Sequence, residues 1–224
     1  MEMTITLVGG FGAGKTNLIN NFLGFGFQEK TESTISSERM VKRMKINNKE
    51  YNITFWDTSG QERFRTLSSL FIKNAQIIIL VFDIANIKSL EELNDWIEII
   101  EDRKCQDCLL GMVGNKIDLF EDMTISEEEA RRFAEKHKYK LLITTAKENP
   151  KEFKRFIENL IREYNELYPE KEKRNEYRIS FESEKKERNY NKGCCGREMY
   201  FSFHERYKAR VFQWYIPDFK TREI

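Results

Sequence analysis

The sequence predicts an α/β fold: a doubly wound, mostly parallel sheet of six strands, one of them antiparallel. Three observations lead to this prediction. Strand-like and helix-like hydrophobic patterns alternate along the chain, as they do when helices connect parallel strands. Two apolar runs, 77–82 and 109–113, have no polar face, which is typical of strands covered by helices on both sides. A glycine-rich loop after the first strand leads directly into a helix pattern.

The strands are predicted from apolar runs bounded by turn-forming residues. Asn47 and Asn48 favour the left-handed backbone of a tight turn, so we expect the strands on either side of them to form a hairpin. The predicted strands are 3–8, 39–46, 51–57, 77–83, 109–114 and 140–144.

Capping residues predict where three helices begin. Ser89 and Ser126 each precede a glutamate by three residues, the spacing of a capping box in which both side chains accept hydrogen bonds from backbone N–H groups. Asn149 and Pro150 supply a cap and a first helical residue. The helix that follows has an apolar stripe, interpreted as core packing, made of Phe153, Phe156, Ile157, Leu160, Ile161 and Tyr164.

Composition limits the class of protein. The 224 residues fit one domain and an extension, since domains run to about 100–200 residues. A formal net charge of +1 argues against a nucleic-acid partner bound by bulk electrostatics. No apolar run approaches the roughly 20 residues of a membrane span, and the chain starts on a strand pattern rather than a signal peptide. We therefore expect a cytoplasmic protein.

The glycine-rich loop, residues 9–16, matches the phosphate-loop pattern G-x-x-x-x-G-K-T, and its strand–loop–helix context supports the match. Its glycines allow backbone N–H groups to point at phosphate oxygens. Lys15 can reach the β- and γ-phosphates, and the Thr16 hydroxyl can hold Mg²⁺ at the start of the helix. The expected phosphate contacts are Gly12, Ala13, Gly14, Lys15, Thr16 and Asn17.

Three further motifs follow predicted strands and indicate the kind of nucleotide. Asp57 can hold Mg²⁺ through water, and the N–H of Gly60 can contact a γ-phosphate. Asp118 can accept hydrogen bonds from both N1–H and the 2-amino group of guanine, a pair of donors that adenine lacks. The expected base contacts are Asn115, Lys116, Asp118, Thr145, Ala146 and Lys147. In this order, at strand ends, the motifs together predict a GTP/GDP site.

With these motifs the chain resembles the Ras superfamily of small GTPases over roughly residues 3–167, and within it the Rab family, most closely in the run 56–67. The resemblance implies the P-loop small GTPase fold and slow hydrolysis of GTP to GDP and phosphate. It also implies that Phe27 packs on the guanine, that Thr34 of switch I binds Mg²⁺ and the γ-phosphate, and that Gln61 orients the attacking water. Catalysis is then assigned to Gln61, Lys15 and Thr34, and Mg²⁺ binding to Thr16, Thr34 and Asp57.

The resemblance further implies a monomeric switch in vesicle trafficking, read by effectors, an exchange factor and a GTPase-activating protein. These partners would contact switch I and II through a patch formed by Arg39, Trp56 and Phe71. Arg39 stands where Rabs have phenylalanine, so a change of partner is expected. The arginine could instead stack on Trp56 as a cation–π pair.

Phe11 departs from the family, which has glycine or another small residue at this position of the phosphate loop. A side chain here points toward the γ-phosphate and Gln61. One hypothesis is that Phe11 slows hydrolysis and weakens the help of activating proteins, so that the GTP form accumulates. The alternative is that the ring folds away over switch I or II with little kinetic effect.

The chain is expected to comprise a G domain over 1–168, a charged tail over 169–196 and an aromatic-rich extension over 197–224. Cys194 and Cys195 look like a Rab site for two geranylgeranyl groups, which would place the protein on the cytosolic face of endomembranes. In the family this motif ends the chain. The extension could pack on the domain, be removed by cleavage, or lie beyond the natural end of the protein.

Two other functions compete with a hydrolysing switch. A nucleotide-locked interaction protein on the same fold would signal by occupancy and would not hydrolyse GTP. An ATP-dependent enzyme with a phosphate loop is a more distant third, which is excluded if GTP outcompetes ATP by orders of magnitude. The identity of the bound nucleotide and the rate of its hydrolysis separate the three.

Overall fold

The computed structural model describes residues 1–29, 34, 37–61, 70–104 and 107–169 of the chain. The strands in these ranges are β1 Glu2–Val8, β2 Glu38–Ile46, β3 Lys49–Asp57, β4 Ile77–Asp83, β5 Leu109–Asn115 and β6 Lys140–Ile143. The helices are α1 Lys15–Leu23, α2 Ile87–Glu91, α3 Leu93–Arg103, α4 Glu127–His137 and α5 Pro150–Leu167, with a 3₁₀ turn at Phe120–Asp122.

The six strands form one sheet in the order β2-β3-β1-β4-β5-β6. β2 runs antiparallel to β3, and all other neighbours are parallel. Asn47 and Asn48 make the turn between β2 and β3 with φ angles of 48° and 64°. The predicted fold class, the six strands and the hairpin are therefore confirmed.

Side chains of β4 divide the core into two layers, because alternate residues of a strand point to opposite faces. Ile77, Ile79 and Val81 pack in the layer that contains the buried faces of α1 and α5. Ile78, Leu80 and Phe82 pack in the other layer, with α3 and α4. Every residue of β4 is buried, as the apolar run 77–82 predicts, and burial extends to Asp83 at its end. The stripe on α5 packs as expected, with Phe153, Ile157, Leu160, Ile161 and Tyr164 buried and Phe156 partly buried.

Two of the three predicted helix starts are confirmed. Ser126 and Glu129 form a full capping box at the start of α4: the backbone N–H of Glu129 donates to the Ser126 hydroxyl at 3.2 Å, and that of Ser126 donates to Glu129 Oε2 at 2.8 Å. Asn149 is the N-cap of α5 and Pro150 is its first residue, although the Asn149 side chain makes no capping hydrogen bond.

The predicted start at Ser89 is wrong. α2 begins earlier, at Ile87, with Asn86 as its N-cap and the backbone N–H of Lys88 donating to the Asn86 side chain at 3.2 Å. Ser89 lies inside the helix and is buried, and its hydroxyl donates to the carbonyl of Asp83 and accepts from the N–H of the same residue. The hydroxyl therefore ties α2 back to the end of β4.

The parallel strands bring their carboxyl ends to one edge of the sheet, where ligands bind in folds of this type. The loop after β1 and the loops after β3, β5 and β6 meet there. Among the described helices, none is both long and apolar enough to cross a membrane.

Candidate functional site

The phosphate loop connects β1 to α1. Gly14 caps the helix with a φ of 89°, a conformation that a side chain would strain. A Cβ atom on Gly60, in the loop after β3, would lie 2.4 Å from the carbonyl oxygen of Gly10 and 2.6 Å from the nitrogen of Phe11. Only a glycine at position 60 allows the two loops to approach so closely. The backbone of Gly60 therefore lies against the phosphate loop, as a residue that senses a γ-phosphate would.

Lys15 is buried beneath this loop, with 5% of the residue exposed. Its Nζ atom donates to the carbonyl oxygens of Gly9 and Gly10, each at 2.9 Å. Burial lowers the pKa of Lys15 to about 8, and the nearby carboxylates of Asp57 and Glu92 oppose that decrease in part. The ammonium group is thus held rigidly, at a cost in solvation.

Three oxygen-bearing side chains meet beside Lys15. The Thr16 hydroxyl donates to Asp57 Oδ2 at 2.6 Å, and the Thr34 hydroxyl lies 3.3 Å from that of Thr16 and 3.4 Å from the same carboxylate oxygen. The other oxygen, Asp57 Oδ1, is buried and has no hydrogen-bond partner among the described residues. Burial raises the pKa of Asp57, while the Thr16 bond and the Lys15 charge lower it. Such oxygen donors with one unsatisfied carboxylate atom fit a hard divalent cation such as Mg²⁺.

Asn115 links the phosphate loop to the loop after β6. Its Nδ2 donates to the carbonyl of Ala13 at 2.9 Å, and its Oδ1 accepts from the N–H of Ala146 at 3.0 Å. The side chain is buried, so both bonds are shielded from water. This pairing fixes the loop after β6 relative to the phosphate loop.

Asp118 and Lys116 are oriented by neighbouring side chains. The Thr145 hydroxyl donates to Asp118 Oδ1, leaving the other carboxylate oxygen available for a ligand. Lys116, which has a φ of 69°, donates to Asp83 Oδ2 at 2.7 Å. Asp83 is the last residue of β4 and is only 9% exposed. The ion pair therefore fixes the side chain of Lys116 against a buried carboxylate.

These groups surround one cleft with a volume of about 340 Å³. Lys15 and Asp118, the residues expected at opposite ends of a nucleotide, both line it. The full lining comprises Phe11, Gly12, Gly14, Lys15, Thr16, Asn17, Phe27, Glu29, Thr34, Thr58, Gly60, Asn115, Lys116, Asp118, Leu119, Thr145, Ala146 and Lys147.

Comparison with known proteins identifies the family. The Ras family model matches residues 4–166, which is most of the chain. The chain belongs to the Ras family. All of the described residues that line the cleft fall within the matched region.

Several Rab proteins are similar to this chain. Ras-related protein Rab-11C of Dictyostelium discoideum is 37% identical over 142 residues, 63% of this chain and 63% of the relative. Human Ras-related protein Rab-30 is 35% identical over 154 residues, 69% of this chain and 76% of the relative. Human Ras-related protein Rab-12 is 32% identical over 134 residues, 60% of this chain and 55% of the relative. The chain is thus a divergent, Rab-like small GTPase that matches only part of the length of these relatives.

Three expected site residues of this small GTPase do not line the cleft. Ala13 is buried behind it and contributes its carbonyl to Asn115. Asp57 lies below the surface and reaches the cleft through Thr16. Gln61 is half-buried, and its N–H donates to the Ser59 hydroxyl at 3.4 Å.

Sequence reasoning missed several residues of the site. Glu29, Thr58 and Leu119 line the cleft, and Asp83 orients Lys116. Thr58 and Leu119 directly follow predicted residues, so their neighbourhood was a usable signal. Asp83 is a carboxylate at the end of a predicted strand, as Asp57 is, and the same argument could have found it. Nothing in the local sequence indicates Glu29.

The surface expected to contact partners contains an aromatic pair and a cation. The rings of Trp56 and Phe71 pack with centroids 4.2 Å apart. Arg39, directly opposite Trp56 in the β2–β3 register, is exposed and donates through Nη2 to the Thr54 hydroxyl at 3.4 Å. No cation–π contact between Arg39 and Trp56 is found among the described residues, so the stacking alternative is not supported.

Phe11 lines the cleft with 61% of the residue exposed. Its ring is therefore neither buried in the core nor removed from the site. The effect of this ring on hydrolysis stays a prediction. Cys194, Cys195 and the predicted tail segments from residue 170 onward lie outside the described residues, so lipid attachment and the predicted domain boundaries also stay predictions.

Proposed function

We propose that this chain is a GTP-controlled switch of the Rab type that acts in intracellular vesicle traffic. The observation that supports this most strongly is that Lys15 and Asp118 line the same cleft. One nucleotide could contact a phosphate-binding lysine at one end and a guanine-selecting carboxylate at the other. The Rab names of its relatives support the role in traffic.

The proposed contacts divide the cleft into two ends. At the phosphate end, the N–H groups of residues 12–17 and the Nζ of Lys15 bind the β- and γ-phosphates. At the base end, Asp118 accepts from guanine, Phe27 packs on the ring, and Lys116 and residues 145–147 complete the pocket. Because Asp118 would find no matching pair of donors on adenine, the site selects GTP and GDP over ATP.

Thr16, Thr34 and Asp57 would hold Mg²⁺, and the unpartnered oxygen of Asp57 is the feature of this chain that fits the ion. When bound, Mg²⁺ neutralises charge that develops on the phosphates during transfer. Gln61 would orient the attacking water, and Lys15 would stabilise the transferred phosphoryl group. Thr34 and Gly60 contact the γ-phosphate in this scheme, so its loss releases both loops.

Exchange factors, activating proteins and effectors would contact the surface that includes Arg39, Trp56 and Phe71. A cation beside an aromatic pair favours partners that present a carboxylate together with apolar side chains. Attachment of lipids to Cys194 and Cys195 would bring the switch to the cytosolic face of a membrane.

A second candidate is a nucleotide-locked interaction protein, and Phe11 is the observation that favours it. The ring is largely exposed, and it lines the cleft together with Gly12 and Gly60. At that position it would compete for space with Gln61, the attacking water and an incoming arginine. Hydrolysis would then be slow, with the GTP form accumulating.

The test is a single-turnover hydrolysis time course on full-length protein, with the bound nucleotide identified at the start. Wild type is compared with Phe11→Gly and with Phe25→Ala, a control that removes an exposed ring outside the cleft lining. We expect Phe11→Gly to hydrolyse GTP about 10- to 100-fold faster, since small misplacement of a reacting group costs about that much. Phe25→Ala should match wild type.

Each outcome separates the proposals. Equal rates for wild type and Phe11→Gly would remove the blocking role of Phe11. No hydrolysis by either protein, with GTP bound from the start, would favour the nucleotide-locked function. Adenine nucleotide in the purified protein, or ATP competing as well as GTP, would overturn the guanine-nucleotide site itself.

A further inference from the structure

Asn17, in the first turn of α1, forms hydrogen bonds with the backbone of Gln28, eleven positions further along the chain. Its Nδ2 donates to the carbonyl oxygen of Gln28 at 3.0 Å, and its Oδ1 accepts from the N–H of Gln28, also at 3.0 Å. One amide side chain thus satisfies both backbone groups of one residue, using an oxygen acceptor and a nitrogen donor at once. Two bonds to one residue fix its orientation as well as its position.

The segment that contains Gln28 has little else to hold it. α1 ends at Leu23, its C-cap Gly24 has a φ of 96°, and Gly26 has a φ of 80°. Phe25 between them is 71% exposed. Among the described residues, the hydrogen bonds to Asn17 are the only ones that connect residues 26–29 to the rest of the protein. Segments with so few contacts open most easily.

The two hydrogen bonds between Asn17 and Gln28, called the clamp below, lie next to the base end of the proposed nucleotide site. Phe27, the neighbour of Gln28, is 40% exposed and lines the cleft, as does Asn17 itself. Phe27 lies between Gly26, whose φ is 80°, and Gln28, whose backbone is bonded to Asn17. Fixing the peptide of Gln28 therefore fixes the direction in which the ring of Phe27 is presented.

We infer that Asn17 is a positioning residue for nucleotide retention. Through its two bonds to Gln28 it holds Phe27 over the guanine, and the bound nucleotide cannot leave until those bonds break. Asn17 acts through Gln28 because the side-chain oxygen and one amide proton are already engaged there. This inference rests on the proposed guanine-nucleotide site and assigns to one of its residues a role other than contact with phosphate.

The experiment measures release of a fluorescent GDP from full-length, Mg²⁺-loaded protein after addition of excess unlabelled GDP. Asn17→Ala should release the nucleotide about 5- to 30-fold faster, the factor that two modest hydrogen bonds lost from the bound state imply. Asn17→Leu, of similar size and without polar atoms, should do the same. Asn94→Ala is the matched control, since the Asn94 side chain also donates to a backbone carbonyl, that of Glu91, but lies outside the cleft lining.

A cycle with Phe27→Ala tests whether Asn17 acts through the ring. Phe27→Ala alone should speed release, and adding Asn17→Ala should change the rate less than twofold, because the clamp then positions nothing. Hydrogen exchange provides a second readout: the amide proton of Gln28 should be protected in wild type and unprotected in Asn17→Ala.

The outcomes are distinct. Wild-type release rates in Asn17→Ala and Asn17→Leu, or fast exchange at Gln28 in wild type, would overturn the clamp and leave the proposed function intact. Fully additive effects of Asn17→Ala and Phe27→Ala would overturn action through Phe27. Failure of the wild-type protein to retain the labelled GDP would overturn the proposed function, and this inference with it.

Discussion

Lys15 offers a direct test of how a buried charge in the cleft affects the stability of nucleotide-free protein, through the replacement Lys15→Met. Lys15 is 5% exposed as a residue, and burial lowers the pKa of its ammonium group from 10.5 to about 8. The same group in the unfolded chain keeps its ordinary pKa. Folding at neutral pH therefore transfers a charge out of water without full compensation. Methionine has a similar length and carries no charge to desolvate.

The sign and size of the effect follow from proton linkage. Below pH 8 the lysine is protonated in both states, and the difference between 10.5 and about 8 corresponds to a cost of about 3 kcal/mol in the folded state. Between pH 8 and pH 10.5 the folded protein loses this proton while the unfolded chain keeps it, so the free energy of unfolding rises with pH. From pH 7 to pH 10 the rise from Lys15 alone is about 2.5 kcal/mol.

The assay is urea unfolding of nucleotide-free wild type and Lys15→Met at several pH values from 7 to 10. The difference between the free energies of unfolding of the two proteins at each pH cancels the contributions of the other titrating groups, since both proteins contain them. From pH 7 to pH 10, the free energy of unfolding of the wild type should rise by about 2.5 kcal/mol relative to that of the variant. The variant also loses the hydrogen bonds to Gly9 and Gly10. This loss changes the difference in free energy of unfolding by the same amount at every pH, so the pH dependence of that difference is unaffected. Parallel curves would refute the reasoning.

Three further predictions concern residues of the cleft. Asp57→Asn should release GDP equally fast with and without EDTA, whereas EDTA should accelerate release from wild type; a variant that still responds to EDTA contradicts a metal role for this carboxylate. Asp118→Ala should weaken GDP binding about 100-fold or more and leave ATP binding unchanged, by competition titration, because two hydrogen bonds to a charged acceptor are lost. Asn115→Ala should lower the free energy of unfolding by about 2–4 kcal/mol in urea, since buried groups on Ala13 and Ala146 lose their partner; a loss below 0.5 kcal/mol counts against that linkage.

The fold and most of the cleft could be predicted because their signals are local. The phosphate loop needs glycines and a lysine within eight residues, and the β2–β3 turn needs two asparagines in sequence. The strands supply the geometry: once they are parallel, residues at their carboxyl ends meet at one edge. That argument brings Asp118 to the cleft lining and Asp57 to the Thr16 hydroxyl beside it, without any knowledge of their contacts.

Contacts between side chains from separate elements could not be predicted in the same way. The Asn17–Gln28 and Lys116–Asp83 pairs join residues whose proximity depends on packing, and neither has a local pattern. At Ser89, by contrast, a local sequence pattern was present but led to a wrong prediction. Ser89 has the spacing of a capping box, but the connection from Asp83 is short and the helix already begins at Ile87. The Ser89 hydroxyl binds the end of the strand instead.

Lys15 and Asp57 together explain why such a site should couple ligand binding to stability. In the protein alone, the buried lysine and the buried carboxylate each carry a desolvation cost, and one carboxylate oxygen has no partner in the described structure. In the proposed function, a triphosphate would supply an anion for the lysine, and a divalent cation would supply a counter-charge for the carboxylate. Both costs are relieved only when both ligands bind, so stability should rise with nucleotide and Mg²⁺ together more than with either alone. The residues that lower the stability of nucleotide-free protein are then the same ones that would stabilise the bound state.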